Sequence, residues 1–365
     1  EGSPVNLPLA LVPRAQPSRA LTWLSPVAAA VLTLAAGALL FALMGQDPIQ
    51  GLRVFLVEPL ATQRGWSELA LKATPLILCA LGLTLCFRAN VWNIGAEGQL
   101  IAGAIVGGSV ALLATSATSR AIVPAILVAA ALGGAAWAAI TAWLRDRFNA
   151  NEILVSLMLV YVAQLLLSWL VHGALRDPQG FGFPQSQLFE SVARMPIVLA
   201  GTRLHIGFPL ALALTAAAWW LLARSLIGFQ LKVAGLAPLA ARYAGFSSRR
   251  VLWFVLLASG ALAGVAGGLE ATGPVGQLTP TISPGYGFAA IIVAFVGRLH
   301  PVGVVAGALL MALFYIGGEL AQSRLGLPSA LTGVYQGLLL FFLLMCDTFI
   351  AYRLQWRRTA KAMAA

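Results

Sequence analysis

Ten apolar runs, most of them about 17–25 residues long, follow one another along this 365-residue chain. No other feature constrains the fold as much. A helix needs about 20 apolar residues to cross the hydrocarbon core of a bilayer, and it satisfies its own backbone groups there. A β-barrel would show alternating segments of about ten residues instead. With 60% apolar and only 10% charged residues, the chain has more apolar surface than one globule can hide. A disordered chain, a disulfide scaffold and an ordinary soluble enzyme are excluded. The expectation is an all-α polytopic membrane protein in which some segments are broken or re-entrant.

The runs cover 21–45, 73–88, 100–117, 121–144, 153–172, 205–223, 251–270, 288–297, 301–321 and 331–352. A membrane domain, 21–352, is thus flanked by tails at 1–20 and 353–365. The first run exceeds the h-region of a cleaved signal peptide. The sequence opens at Glu1 without a methionine, which suggests processing or truncation upstream. The run 288–297 is too short to span alone and reads as a half-helix held inside protein.

The net charge of +11 is not a nucleic-acid signal, because the basic residues sit in short connectors. If all ten segments cross, fifteen of the 23 basic residues fall on the side of the N-terminus and eight on the other. Both termini are therefore expected in the cytoplasm. The loop 173–204 is then extracytoplasmic and the basic loop 224–250 cytoplasmic. Cys79, Cys86 and Cys346 lie in apolar runs without metal spacing and read as buried small hydrophobes. No catalytic residues, no metal site and no bound cofactor are expected. The chain has no P-loop and no GxSxG nucleophile, so active transport would draw on an ion gradient or on another subunit.

Three polar interruptions stand out. At 87–99, Asn90, Asn93, Glu97 and Gln99 flank Gly95 and Gly98. Polar groups at membrane depth usually line a protein-buried or watery cavity, and a broken helix would present its N-terminus there. A turn between two helices fits the same residues. Trp92 is the best-placed stacking ring, with an interfacial belt tryptophan as its plainer reading. At 228–250 the residues predict a short helix from Pro238 to Tyr243, closed by Gly245. Its small residues allow close approach of a partner surface, while a solvated basic loop explains the same composition. At 271–298, dense Gly and Pro precede the short apolar run, as in a re-entrant element or in a loop followed by a short span. Glu97, Glu152, Glu270 and Glu319 would serve an ion-coupled transporter if they faced one another.

Four runs carry a resemblance: FRANVWNIGAEGQLIAGA at 87–104, FNANEILVSLMLVYVA at 148–163, VAGLAPLAARYAGFS at 233–247 and PGYGFAAIIVAFVGRLHPVGVVAGALL at 284–310. In this order, over most of 65–350, the chain resembles the permease subunits of bacterial ABC importers for nucleosides and simple sugars. Its length suits the longer of two paired permeases. The resemblance implies an inner-membrane protein that forms a path for nucleosides by alternating access. It also implies an ATPase with two nucleotide-binding halves that hydrolyses the ATP, a second permease, and an extracytoplasmic binding protein or lipoprotein. Ala237, Pro238, Ala240, Ala241, Arg242, Tyr243 and Gly245 match the helix that couples to the ATPase. Asn90, Trp92, Asn93, Glu97, Gln99, Pro284, Tyr286 and Phe288 match elements along the path. Asn151 and Glu152 match the start of the next helix. A simple-sugar or branched-chain amino acid ABC permease, and an ion-coupled secondary transporter, are the alternatives.

Overall fold

The computed structural model describes residues 9–13 and 19–356. Among them the apolar runs all become helices. In chain order the helices are α1 (Arg19–Leu43), α2 (Pro48–Leu52), α3 (Gln63–Arg88), α4 (Ala96–Leu112), α5 (Ile122–Phe148), α6 (Glu152–His172) and α7 (Gly207–Arg224). Then follow α8 (Leu226–Leu236), α9 (Pro238–Tyr243), α10 (Ser248–Glu270), α11 (Tyr286–Val296), α12 (Pro301–Leu325) and α13 (Ala330–Ala351). Eight helical stretches are long and apolar enough to cross a membrane. Ala96–Leu112, Leu226–Leu236 and Tyr286–Val296 are apolar but shorter. The chain is an α-helical polytopic membrane protein.

Local chemistry sets the helix ends. Asn151 caps α6 by accepting from the Ile153 and Leu154 N–H groups at 2.9 and 3.4 Å. Ser225 caps α8, and Ser247 caps α10. Helix α3 extends ten residues ahead of the run 73–88, starting at Gln63, where Thr62 accepts from the Gly65 N–H at 3.0 Å. The loop 224–250 is mostly helical, because Ser225 starts α8 one residue after α7 ends.

The chain divides into two compact units, 55–317 and the two flanking segments 1–54 and 318–365. In the larger unit α3 is the axis, with 94% of its apolar window buried. Helices α4, α5 and α10 pack backbone to backbone through glycines. A Cβ at Gly103 would lie 2.2 Å from the Gly264 Cα, and one at Gly134 would lie 2.1 Å from the Gly260 carbonyl oxygen. Lipid gives no hydrophobic drive between helices, so such close approach is how membrane helices gain dispersion energy.

In the smaller unit α1 lies on α13. The Tyr335 ring fills the notch at Gly37 and packs on Phe41 with centroids 6.1 Å apart. Ser25 donates to the Asp347 carboxylate. Parts of both tails form an antiparallel ribbon, β1 (Leu9–Pro13) against β2 (Tyr352–Trp356), with Leu9 opposite Trp356. The tail positions 1–8, 14–18 and 357–365 lie outside the described residues.

Candidate functional site

Helix α3 ends with Asn90 in the left-handed region (φ 57°), and the chain runs unwound to Gly95 before α4 begins. Unwound backbone inside a membrane protein must find partners. The Ile94 N–H donates to Ser156 Oγ at 3.1 Å, and the Gly95 N–H donates to Asn93 Oδ1 at 3.0 Å. Asn93 and Gln99 exchange amide hydrogen bonds, both 3.1 Å, and the Asn93 amide also donates to Ser259 Oγ at 3.0 Å. Asn93, Glu97 and Gln99 are 0–1% exposed. Ser259 is the twelfth residue of the 28-residue stretch Ser248–Val275, so this polar knot sits near mid-length of the spanning helix.

The second break follows α10. One π-helical turn, Ala271–Val275, passes into an irregular segment that ends at Gly285 (φ 94°), where α11 starts. Ser283 Oγ accepts from the Gly285 and Tyr286 N–H groups at 3.3 and 3.2 Å. The Glu97 carboxylate accepts from the Gly287 N–H at 2.6 Å. A Cβ on Gly287 would lie 2.2 Å from the Glu97 nitrogen, so the two helix starts touch.

Their directions follow from their neighbours. Helix α11 runs with α3, with Tyr286 beside Lys72 and Phe295 stacked on Phe87 at 5.3 Å. Helix α4 runs with α10, pairing Asn93 with Ser259 and Gly103 with Gly264. Helices α3 and α10 are antiparallel, since Gly82 meets Ser259 and Cys86 meets Val255. So α4 and α11 leave a shared starting point in opposite directions. Two positive helix ends meet there, and the Glu97 carboxylate lies between them.

Of the expected path residues, Asn93, Glu97, Gln99 and Tyr286 converge on this junction, and Tyr286 is 2% exposed. Pro284 and Phe288 flank it with exposed side chains. Asn90 and Trp92 lie apart from it. Trp92 donates to Asn90 Oδ1 at 3.3 Å, packs tilted against Phe87 with centroids 5.2 Å apart and stacks on Phe295 at 6.3 Å. The ring therefore belongs to an aromatic cluster at the end of α3.

The coupling segment lies beside that same end. A Cβ at Gly235 of α8 would sit 2.1 Å from the Arg88 carbonyl oxygen. Helix α9 spans Pro238–Tyr243 with Pro238 in its first turn, and Gly245 at φ 78° closes it. Ala237, Pro238, Ala240, Arg242, Tyr243 and Gly245 are exposed, whereas Ala241 is 4% exposed and faces inward. The strongly exposed Leu236 and Leu239 join this surface and were not singled out in the sequence. Next to it lies a cavity of about 400 Å³, lined among others by Asn90, Arg145, Glu152, Pro238 and Arg249. Two ion pairs brace it, Arg145–Glu152 at 3.3 Å and Arg249–Asp146 at 2.8 Å.

On the other face the loop 173–206 is laid on 272–278. The Ser186, Phe189 and Met195 N–H groups donate to the Leu278, Gly276 and Thr272 carbonyls. His205 is 3% exposed, its Nδ1 accepts from the Gly207 N–H at 3.0 Å, and burial lowers its pKa to about 4. A cavity of about 150 Å³ opens here among Glu68, Lys72, Arg203, Glu270 and Tyr286. Arg203 clasps Glu68 with two bonds, 3.0 and 2.7 Å. Glu68 and Lys72, one turn apart on α3, escaped the sequence reading because Arg203 and Glu270, which complete the cavity, stand more than a hundred residues further along the chain. Glu97, Glu152 and Glu270 sit in three different surroundings, and Glu319 is exposed in the smaller unit. No group of three or more His, Cys, Asp or Glu able to hold a metal occurs among the described residues.

The family described as "Branched-chain amino acid transport system / permease component" matches residues 65–344. The glucose ABC transporter permease protein TsgB13 of Haloferax volcanii is 36% identical, over 96% of this chain and 94% of that one. The guanosine ABC transporter permease protein NupP of Bacillus subtilis is 31% identical, over 87% and 92%. The guanosine ABC transporter permease protein NupQ of the same bacterium is 28% identical, over 65% and 76%. With most of its length matched, this multi-pass chain belongs to the branched-chain amino acid transport system permease component family and is a permease subunit of an ABC transporter.

Proposed function

We propose that this subunit carries nucleosides inward by alternating access, driven by ATP that a separate ATPase subunit hydrolyses. One observation carries the reading: α4 and α11 start together at Glu97–Gly287 and diverge. Half-helices that meet at mid-membrane can shift against one another, because each packs on a different long partner. Helix α8 touches the end of α3 through Gly235 and Arg88, which gives a push on α9 a route to the unwound segment 89–95.

In this reading α8, α9 and both termini face the cytoplasm, and the loop 173–204 faces outward, in a bacterial inner membrane. The exposed apolar side chains Leu236, Leu239 and Tyr243 dock on an ATPase with two nucleotide-binding halves. Bacillus subtilis has two different guanosine permeases similar to this chain, which supports a heterodimer with a second, shorter permease. An extracytoplasmic binding protein or lipoprotein delivers substrate to the loop 173–204. The subunit itself has no catalytic role and holds no cofactor.

A simple sugar is the second reading, favoured by the 36% identity to a glucose permease. Guanosine and glucose share a hydroxylated sugar ring. The test is uptake of radiolabelled guanosine and glucose into proteoliposomes that hold the co-purified transporter. Saturable guanosine uptake that needs ATP and ignores an uncoupler is expected. Uptake that collapses with the uncoupler and needs no ATP overturns the proposal.

A further inference from the structure

The cavity among Glu68, Lys72, Arg203, Glu270 and Tyr286 lies apart from the polar knot, yet Tyr286 adjoins Gly287, the residue that bonds Glu97. Glu270 is the feature that needs explaining. From Val251 to Leu269 the long helix α10 carries no charge. A carboxylate then appears at 9% exposure, at the point where the helix turns π-helical. Buried charges in spanning helices are costly, and π-turns gather at functional sites. Arg203 commits Nε and Nη2 to Glu68. Lys72 and Glu270 line the same small cavity from α3 and α10.

We infer that Glu270, with Lys72 and Tyr286, forms a subsite for the vicinal hydroxyls of a sugar ring. The inference rests on the proposed transport of nucleosides or sugars. An ionised carboxylate is an acceptor with two oxygens side by side, and an ammonium is a donor only. Two neighbouring hydroxyls donate both protons to such a carboxylate and accept from the ammonium. Each partner is then satisfied without a net charge on the substrate. Pro274, Val275 and Leu71 supply apolar wall for the ring's C–H face. The volume, about 150 Å³, is half the lower bound of about 300 Å³ for a whole small-molecule site. It admits a sugar ring without an attached base. The sugar is thus read at the first turn of α11, where occupation bears directly on the Glu97–Gly287 contact.

The test has two arms. In the first, saturation-transfer NMR on the purified full transporter compares D-ribose with 2,3-dideoxyribose. Ribose should give a signal in the wild type, the dideoxy sugar should give little, and Glu270→Gln should cut the ribose signal at least fivefold. Lys72→Met probes the same cavity from another helix, should weaken ribose in the same sense, and covers the case in which Glu270→Gln does not fold. Equal signals for the two sugars in the wild type, or an unchanged ribose signal in both variants, overturn the inference. In the second arm, uptake of guanosine is compared with that of 2′,3′-dideoxyguanosine. The wild type should favour guanosine by about tenfold or more, because a site built around hydroxyls rejects analogues that lack them. Glu270→Gln should erase that preference while leaving dideoxyguanosine uptake in place. Loss of both substrates in equal measure marks a structural role and overturns the inference. A wild type that binds ribose selectively but takes up neither guanosine nor glucose sinks the transport proposal alone.

Discussion

The carboxylate of Glu97, in the first turn of α4, accepts a 2.6 Å hydrogen bond from the backbone N–H of Gly287, in the first turn of α11 and 190 residues away. Each helix start has orphan N–H donors, and one side chain from the first helix serves the second. The bond ties the two unwound segments of the membrane domain at one point.

Gly287→Ala should damage the junction. Its Cβ would lie 2.2 Å from the Glu97 nitrogen and 2.5 Å from its Cα, backbone that cannot swing aside. Overpacking of this kind costs about 1–3 kcal/mol. A lowered thermal midpoint in detergent and lost transport are expected. Glu97→Gln keeps an acceptor oxygen and should be milder than Glu97→Ala, which strips the cap at about 1 kcal/mol.

Asn93 and Gln99 should behave as one unit. Asn93→Ala leaves the buried Gln99 amide, Ser259 and the Gly95 N–H each short of a partner. An unmet buried polar group costs about 1–3 kcal/mol. The double variant Asn93→Ala, Gln99→Ala should cost clearly less than the sum of the single variants in chemical unfolding. Additive losses would show that the pair is not coupled.

Leu239→Asp and Tyr243→Ala should leave stability nearly unchanged, because the side chains are 72% and 93% exposed. Both should weaken co-purification of the ATPase and lower ATP-driven uptake. Ala241 is the contrasting case. It is 4% exposed, so Ala241→Trp overpacks the inner side of α9 and should unfold it instead of only uncoupling it.

His205 should make the fold acid-sensitive. Burial lowers its pKa from 6.5 to about 4, so the folded chain stays neutral there while the unfolded chain takes up a proton. Its contribution is complete above pH 6.5 and is lost as the pH falls towards about 4. The slope is up to about 1.4 kcal/mol per pH unit. Thermal midpoints should fall across that window in the wild type. They should be flatter in His205→Gln, whose amide does not titrate.

The ten spanning or half-spanning segments were legible in the sequence, because hydropathy over a window needs no partner. Helix α9 was equally legible. Pro238 and Gly245 act on their own backbone, and both stand where expected. The resemblance of four runs to ABC importer permeases agreed with the family that matches 65–344. Helix α8 was missed because it is an 11-residue apolar helix inside a loop read from its basic charge, and the first ten residues of α3 because Gln63, Arg64, Glu68 and Lys72 break the apolar run.

The sequence by itself determined the apolar helices and α9, and marked the polar interruptions at 87–99 and 271–298 with the residues that sit in them. Those outcomes depend on each residue's own backbone preferences and on its transfer into an apolar solvent. Only the tertiary structure decided that Glu97 caps α11, that Asn93 faces Gln99 and Ser259, that Trp92 stays in an aromatic cluster, and that Glu68, Lys72, Arg203 and Glu270 share one cavity. Such pairings are set by the directions in which glycine-lined helices cross, and neighbours along the chain carry no record of that geometry.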